Sequence, residues 1–295
     1  MEQFSLTIDG KECTTIPGKT ILEVAGENGI NIPNLCHDPR LRPTGACRLC
    51  LVEVEGERTL QTACTRIISP GMKVKSSTEE ILETRRTVLE FLIAEHRGVC
   101  TICDANGKCR LQQYSYDYQM SECLFTAPTV AEPRPNYTTG NEGIVYNPEK
   151  CIRCERCIRI CNEVQMDFAL TFRGRAADIE VSTAFDLPLH HTTCEMCGQC
   201  ISTCPTGALY ERAAIGKGQA KDLIKVRTTC PYCGVGCQLD LNVNPLTNQI
   251  VRVTSEIGGI PNNGNLCVKG KFGLDFVSDS RRLTKPLIKR NGSLE

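Results

Sequence analysis

The 21 cysteines of this 295-residue chain constrain what it can fold into more than any other feature. Their number is odd, and the N-terminus has no basic region followed by an apolar stretch, so no export signal is visible. Both facts argue against a disulfide framework, because the cytosol keeps thiols reduced. Metal ligation is the remaining common use of so many cysteines, and their spacing then indicates which centre each group holds.

Two runs of cysteines share the spacing C-x2-C-x2-C-x3-C, and a proline follows the second run. In such runs three cysteines bind one [4Fe–4S] cluster and the fourth binds the other cluster. The predicted ligands of one cluster are Cys151, Cys154, Cys157 and Cys204. The predicted ligands of the other cluster are Cys194, Cys197, Cys200 and Cys161. Zinc is the alternative, but it prefers tetrahedral sites made of paired cysteines.

Two further groups consist of cysteines alone. The first has the spacing C-x10-C-x2-C-x13-C and contains Cys36, Cys47, Cys50 and Cys64. It follows a predicted hairpin and helix, which favours a [2Fe–2S] cluster over zinc. The last group has the spacing C-x2-C-x3-C-x29-C and contains Cys230, Cys233, Cys237 and Cys267. This spacing favours a [4Fe–4S] cluster, again with zinc as the alternative.

A histidine leads the remaining group, which has the spacing H-x3-C-x2-C-x5-C and contains His96, Cys100, Cys103 and Cys109. Three thiolates need a fourth ligand, and we predict that the imidazole supplies it to another [4Fe–4S] cluster. The alternative is a satisfied surface or core histidine, which is the commoner role of a lone helical histidine. One [2Fe–2S] and four [4Fe–4S] clusters are therefore expected. Cys13 and Cys123 are left over, and we expect both to be small buried apolar side chains.

The pattern along the chain predicts an α+β fold built from small cluster-binding units. The predicted elements of the first unit are a hairpin over 3–16, a helix over 20–28 and strands over 51–54 and 59–63, which give a mixed sheet wrapped over one helix. A helix is predicted over 78–96, because its apolar residues keep a helical period and Ser77 and Glu80 fit a capping box. Residues 151–161 and 194–204 repeat one another, which indicates internal duplication.

These elements give expected domain limits. The expected units are a β-grasp [2Fe–2S] domain over 1–77, a helical segment for the histidine-led [4Fe–4S] cluster over 78–123, a proline-rich linker over 124–148, a two-cluster ferredoxin-like domain over 149–226, and a small β-rich [4Fe–4S] domain with a tail over 227–295.

The charge balance excludes several classes of partner. The chain has 34 basic and 34 acidic residues, so its zero net charge gives no reason to expect nucleic acid or an anionic membrane surface as a partner. No apolar run has the length of a membrane helix, and a cytoplasmic location is expected. No catalytic constellation stands out. The arginines within the cysteine groups are expected on the solvated surface: Arg48, Arg153, Arg156 and Arg159.

Up to about residue 210, the chain resembles the iron–sulfur region of the large subunit of respiratory complex I and of the diaphorase-linked subunit of NAD-reducing hydrogenases. This resemblance rests on the first cysteine group, the histidine-led group and the two repeated runs. Residues 227–280 look like the first segment of molybdenum bis-pterin oxidoreductases, through Cys-Pro-Tyr-Cys-Gly-Val-Gly-Cys and Leu-Cys-Val-Lys-Gly. The whole order is similar to the N-terminal third of the catalytic subunit of cytosolic NAD(P)-linked formate dehydrogenases.

The resemblance implies an iron–sulfur electron-transfer subunit. It would relay electrons between a flavin/NAD(P)-binding subunit and a formate dehydrogenase-type or hydrogenase-type subunit, with ferredoxin as a further candidate partner. The resemblance also implies that Lys269 lies between the last cluster and a pterin. The family's pterin domains and catalytic residues lie downstream of the matching segment. This chain is therefore not expected to be catalytic alone, or to bind flavin, NAD or molybdopterin by itself.

Two alternatives to the electron-transfer subunit stay open. The first is the electron-input portion of a formate dehydrogenase catalytic subunit, with its molybdenum or tungsten domains outside this chain. The second is an interaction scaffold that zinc stabilises.

Overall fold

The computed structural model describes residues 3–120, Phe125 and residues 136–294. Cys123 and the first part of the predicted linker therefore lie outside the described residues. The α-helices are α1 (Ile21–Glu27), α2 (Glu79–Glu95), α3 (Arg110–Asp117), α4 (Arg156–Arg159), α5 (Gln199–Thr203) and α6 (Val268–Phe272). The first nine strands are β1 (Phe4–Ile8), β2 (Lys11–Thr15), β3 (Leu51–Val54), β4 (Gln61–Thr62), β5 (Lys73–Lys75), β6 (Ile144–Tyr146), β7 (Thr171–Arg173), β8 (Glu180–Ser182) and β9 (Leu209–Glu211). The remaining strands are β10 (Ile224–Thr229), β11 (Gln238–Asn244), β12 (Gln249–Thr254), β13 (Lys289–Arg290) and β14 (Ser293–Leu294).

The N-terminal unit is a five-stranded mixed sheet in the order β2-β1-β5-β3-β4. β1 runs antiparallel to β2 and parallel to β5, and this register places Leu6 opposite Cys13. Side chains alternate between the two faces of a strand, so Leu6 and Cys13 are buried in one core with Ile21 and Val24 of α1. The sheet and single helix that the sequence predicts are both present, and Cys13 is buried as expected.

The starts of α1 and α2 differ from the sequence prediction. Thr20 caps α1 in a full capping box with Glu23, a pattern that was not recognised in the sequence. α2 begins after Thr78, whose hydroxyl accepts a hydrogen bond from the Ile81 N–H at 3.4 Å. The predicted capping box with Ser77 was therefore wrong, because the neighbouring threonine takes the N-cap position one residue later.

The two repeated cysteine runs fold in the same way. The last cysteines of each run lie on or beside a short helix, α4 or α5, and these two helices contact each other. The chain after α4 continues as a π-helical turn over Ile160–Gln165. β6 pairs antiparallel with β9, and β7 pairs antiparallel with β8. Since β6 lies inside the stretch predicted as a linker, the end of that stretch is part of the central unit.

The C-terminal unit is an antiparallel sheet of β10, β11 and β12. α6 packs against β12, and Leu239, Val253 and Leu266 form its small core. The stretch expected to be a tail contains the short exposed hairpin of β13 and β14. Among the described residues, no helix combines the length and the apolar character needed to cross a membrane.

Candidate iron–sulfur sites

The predicted ligands form five groups, which we name by position. The N-terminal site is Cys36, Cys47, Cys50 and Cys64, and the histidine site is His96, Cys100, Cys103 and Cys109. The first central site is Cys151, Cys154, Cys157 and Cys204, and the second central site is Cys161, Cys194, Cys197 and Cys200. The C-terminal site is Cys230, Cys233, Cys237 and Cys267.

Each central site encloses its own small cavity. One cavity of about 20 Å³ is lined by all four cysteines of the first central site, including Cys204 from the other run. A second cavity of about 20 Å³ is lined by all four cysteines of the second central site, including Cys161 from the other run. The fourth cysteine of each run thus lies with the first three cysteines of the other run, as the spacing predicts. Iron binding by these two sets remains a prediction.

The loops between these cysteines turn the backbone towards the sulfurs. Arg153 and Met196 occupy equivalent positions of the two runs, and both have a left-handed backbone with φ of 54° and 57°. Their N–H groups donate to the sulfurs of Cys151 and Cys194, each at 3.4 Å. Hydrogen bonds of this kind stabilise a thiolate, so the loop shape suits a negatively charged ligand.

Because these sulfurs are removed from water, their charged thiolate forms need a bound cation to stabilise them. Removal from water raises the pKa of the Cys154 thiol to about 12, and it raises the pKa of the Cys197 thiol to about 12. The ligating form of cysteine is the thiolate, and metal binding releases its proton. No three His, Cys, Asp or Glu side chains in the described part of the chain already converge to hold a metal ion. The fit to a cluster therefore rests on the cavities, the loop geometry and the donor chemistry.

The N-terminal site is buried throughout, and its sulfurs contact one another. The Cys36 sulfur interacts with those of Cys47 and Cys64, and the Cys50 sulfur interacts with that of Cys64. The Leu35 N–H donates to the Cys47 sulfur at 3.4 Å. All four predicted ligands therefore lie together next to the core of the mixed sheet.

The histidine site lies just after α2. Burial raises the pKa of the Cys109 thiol, and the charges of Cys103 and Cys100 add to this effect. Lys150 stands beside both parts of the site: its ammonium donates to the Cys103 sulfur at 3.7 Å, and its charge acts on His96. Burial lowers the pKa of His96, which keeps the imidazole in the neutral form that binds metals. The role of His96 as the fourth ligand stays a prediction.

The C-terminal site is the most accessible of the five. Cys230 is buried, whereas Cys233 and Cys267 are exposed. The charges of these three residues all act on Cys237, and the Cys230 N–H donates to the Cys237 carbonyl at 2.8 Å. The four predicted ligands are thus neighbours at one end of the three-stranded sheet.

Two lysines on α6 have opposite environments. Lys269, which the resemblance places between the last cluster and a pterin, has an exposed side chain. Lys271 is fully buried, and its ammonium contacts the Glu211 carboxylate at 2.5 Å and the Val253 carbonyl at 2.6 Å. Lys271 went unrecognised in the sequence, since both lysines flank Gly270 and only their packing distinguishes them. Lys271 thus connects the C-terminal unit to β9 of the central unit.

Two arginines expected on the surface are buried, so that expectation was wrong for Arg156 and Arg159. Arg159 donates to the carbonyl of Cys36 at 2.6 Å. Arg156 pairs with Asp38 at 3.0 Å and donates to the Thr203 hydroxyl at 3.0 Å. Both arginines therefore join the N-terminal site to the central unit, whereas Arg48 is exposed as expected.

Asp38 is the centre of this buried network. It also pairs with Arg40 at 2.8 Å, and Arg40 donates in turn to Asn265 at 3.1 Å, beside the C-terminal site. Burial acts to raise the pKa of the Asp38 carboxyl, but hydrogen bonds from Arg40 and Thr203 outweigh it and hold that pKa well below its ordinary value. One carboxylate thus connects the N-terminal, central and C-terminal units.

Family models match four successive parts of the chain. They are the 2Fe-2S iron-sulfur cluster binding domain over residues 1–79, the NADH-ubiquinone oxidoreductase-G iron-sulfur binding region over 85–123, the ferredoxin-like domain of NADH-quinone oxidoreductase subunit 3 over 142–210, and the molybdopterin oxidoreductase Fe4S4 domain over 224–279. A [2Fe–2S] domain and [4Fe–4S] domains are therefore present.

A chain in the crystal structure of an NAD+-reducing [NiFe]-hydrogenase, in its H2-reduced state, superposes on this fold. The TM-score is 0.65 with 32% sequence identity, and the match covers 72% of this chain and 89% of the hydrogenase chain. This chain belongs to the iron–sulfur subunit family of complex I and NAD-reducing hydrogenases.

Other family members are similar over nearly the whole of this chain. A subunit of NADH-quinone oxidoreductase from Rhizobium meliloti is 38% identical over 99% of this chain and 33% of its own length. The NADP-reducing hydrogenase subunit HndD of Solidesulfovibrio fructosivorans is 34% identical over 95% of this chain and 48% of its own length. The chain thus spans between a third and a half of these two relatives.

Proposed function

We propose that this member of the family binds one [2Fe–2S] and four [4Fe–4S] clusters through the five sites. We further propose that it relays electrons between a flavin/NAD(P)-binding subunit and a second redox subunit of the formate dehydrogenase or hydrogenase type, or a ferredoxin. When bound, the clusters supply one-electron acceptors and donors. The observation that carries the proposal is that the residues of four sites adjoin one another in a row, while those of the histidine site adjoin the first central site.

The N-terminal site adjoins the first central site. Cys47 of the former and Cys154 of the latter line the same cavity of about 220 Å³. The buried pairs of Arg156 with Asp38 and of Arg159 with the Cys36 carbonyl hold the two sites next to each other. Electrons that enter at the N-terminal unit therefore have the central unit as their neighbour.

The two central sites adjoin each other through their third cysteines. Cys157 is buried and Cys200 is half-buried, both belong to one packed apolar cluster, and the charge of Cys200 acts on Cys157. The second central site then adjoins the C-terminal unit, since the Gln199 amide donates to the Leu266 carbonyl at 3.2 Å. Leu266 directly precedes Cys267, so this contact reaches the last site.

The histidine site joins the series at the first central site. Lys150, which contacts the Cys103 sulfur, directly precedes Cys151. Gly207 lies so close to Cys103 that an added Cβ would come within 2.7 Å of its sulfur. The arrangement is thus a row of four sites with the histidine site as a branch.

The side chains and backbone do three things for such a relay. The thiolates and the imidazole hold the clusters, and the loop N–H groups favour the negative charge on their sulfurs. The buried salt bridges fix the spacing between neighbouring sites. The central sites have no exposed cysteine, while the exposed cysteines of the C-terminal site leave that end accessible to a partner.

Metal analysis of protein purified without oxygen tests the cofactor count. We expect about 18 irons and 18 acid-labile sulfides per chain, with electron paramagnetic resonance signals of both cluster types on reduction. Zinc without sulfide would contradict the proposal and favour the scaffold alternative.

The relay itself is tested on the native complex. We expect a flavin- or NAD(P)-binding subunit to co-purify with this chain, and NAD(P)H to reduce its clusters only when that subunit is present. The isolated chain should not oxidise formate with an artificial acceptor. Formate oxidation by the isolated chain would favour the formate dehydrogenase alternative.

A further inference from the structure

Two tyrosines are buried between the two central sites. Tyr137 and Tyr146 are 3% and 2% exposed, and their ring centroids lie 5.1 Å apart. Tyr146 lines the cavity of the first central site, and Tyr137 lines the cavity of the second. The pair therefore occupies the space through which the two sites face each other.

Neither phenol hydroxyl has a hydrogen-bond partner of regular geometry among the described residues. A buried hydroxyl without an acceptor destabilises a fold, so its retention calls for a compensating partner. Sulfurs are the polar atoms close by. The Tyr146 hydroxyl interacts with the Cys151 sulfur, and Tyr137 lies close to Cys157 and Cys200, one cysteine of each central site.

The positions of the two rings are set by backbone contacts and not by their hydroxyls. The Tyr146 carbonyl accepts from the Asn136 amide at 2.6 Å, and the Tyr137 carbonyl accepts from the Leu189 N–H at 2.7 Å. The Tyr146 N–H donates to the Thr138 hydroxyl at 3.0 Å. The hydroxyls are therefore not needed to hold the rings in place.

We propose that Tyr137 and Tyr146 are positioning residues whose hydroxyls donate hydrogen bonds to cysteine sulfurs of the loaded central sites, and so set the difference in reduction potential between them. This inference rests on the proposed function. Reduction adds negative charge to a cluster, so a donor to its sulfur stabilises the reduced state and raises the potential. Tyr146 acts on the first central site alone, whereas Tyr137 acts on both, because its single O–H lies near a cysteine of each and its dipole reaches the second site beyond the sulfur that accepts its proton.

Replacement of each tyrosine by phenylalanine tests the proposal, because it removes the hydroxyl and keeps the ring. The full chain is loaded anaerobically and titrated with a reductant, and electron paramagnetic resonance follows each [4Fe–4S] component. We expect Tyr146→Phe to shift one component to lower potential and Tyr137→Phe to shift two. Each shift should be on the order of tenfold in the reduction equilibrium constant, about 59 mV for one electron.

Tyr210→Phe is the matched control, since Tyr210 lies on β9 opposite Val145 of β6 and is only half-buried. It should shift no component. Tyr137→Leu removes the same hydroxyl with a different side chain and should shift the same two components as Tyr137→Phe. Iron and sulfide content is measured in every variant, so that loss of a cluster is distinguished from a change of potential.

Three results would overturn the inference while leaving the proposed function intact. The first is a full iron content with unchanged potentials in both phenylalanine variants. The second is a shift of two components by Tyr146→Phe or of only one by Tyr137→Phe. The third is a higher thermal stability of the phenylalanine variants without any shift, which would identify the hydroxyls as merely unsatisfied groups.

Discussion

The sharpest test of the architecture is the removal of the Asp38 carboxylate. Its side chain is fully buried and lies 2.8 Å from Arg40 and 3.0 Å from Arg156, whose side chains are 3% and 8% exposed. Asp38→Ala leaves both guanidinium groups buried without their carboxylate. Breaking a buried ion pair in this way costs about 3–5 kcal/mol. We therefore expect the free energy of unfolding to fall by about that amount.

Urea unfolding of the fully loaded chain, followed by circular dichroism under anaerobic conditions, measures the loss. Glu55→Ala is the matched control, because Glu55 pairs with Lys73 at the same 2.8 Å but both side chains are about two-thirds exposed. It should leave the unfolding midpoint unchanged. A midpoint for Asp38→Ala that coincides with that of Glu55→Ala would refute the reasoning from burial.

The pH dependence of the stability difference between native and Asp38→Ala protein gives a second check. The native pKa of Asp38 lies well below its ordinary value, so the carboxylate's stabilisation is fully present above about pH 4. It is lost as the pH falls from there through the native pKa. The difference between native and Asp38→Ala protein should therefore be constant from about pH 5 to 8 and shrink in stronger acid. A difference that disappears near neutral pH would contradict this assignment.

Three further predictions concern ligands and packing. His96→Cys should lower the potential of one [4Fe–4S] component in a redox titration, because a thiolate adds negative charge; an unchanged titration would exclude His96 as a ligand. Gly198→Ala should destabilise the chain by about 1–3 kcal/mol more than Gly10→Ala in thermal unfolding. Both glycines have positive φ, but an added Cβ would meet Lys271 at 2.6 Å only at Gly198, and equal effects would contradict this account. Removal of the clusters by chelation or air oxidation should unfold the cysteine-rich segments. A native circular dichroism spectrum after complete loss of iron would contradict this prediction.

The assembly of the two central cysteine sets was predictable, because the spacing of cluster ligands is a local property of the sequence. Three cysteines two residues apart leave one ligand position, and the equivalent run supplies it, so Cys161 and Cys204 lie in each other's cavities as the spacing predicts. The mixed sheet and α2 were also predictable, since their apolar periodicity is continuous. Short elements were harder, and β6 went unrecognised because three residues carry too little pattern.

The buried arginines could not be predicted from their neighbourhood. Arg156 lies between two cysteines, and its carboxylate partner Asp38 is 118 residues away in the sequence. Sequence spacing does not identify such a pair, because the burial of a charge depends on which residues the fold places next to it. The same holds for Lys271 and Glu211. A local signal did exist for the α1 capping box, in which Thr20 and Glu23 have the required separation.

The exchange of Cys161 and Cys204 between the two central cavities has a consequence for biosynthesis. The N-terminal site is complete once the ribosome has passed Cys64, and it is available for loading while translation continues. In a nascent chain that ends between the two runs, each central site still lacks at least one of its cysteines. The second central site therefore gains its last predicted ligand at Cys200 and the first at Cys204, so both are completed within the same short stretch of translation.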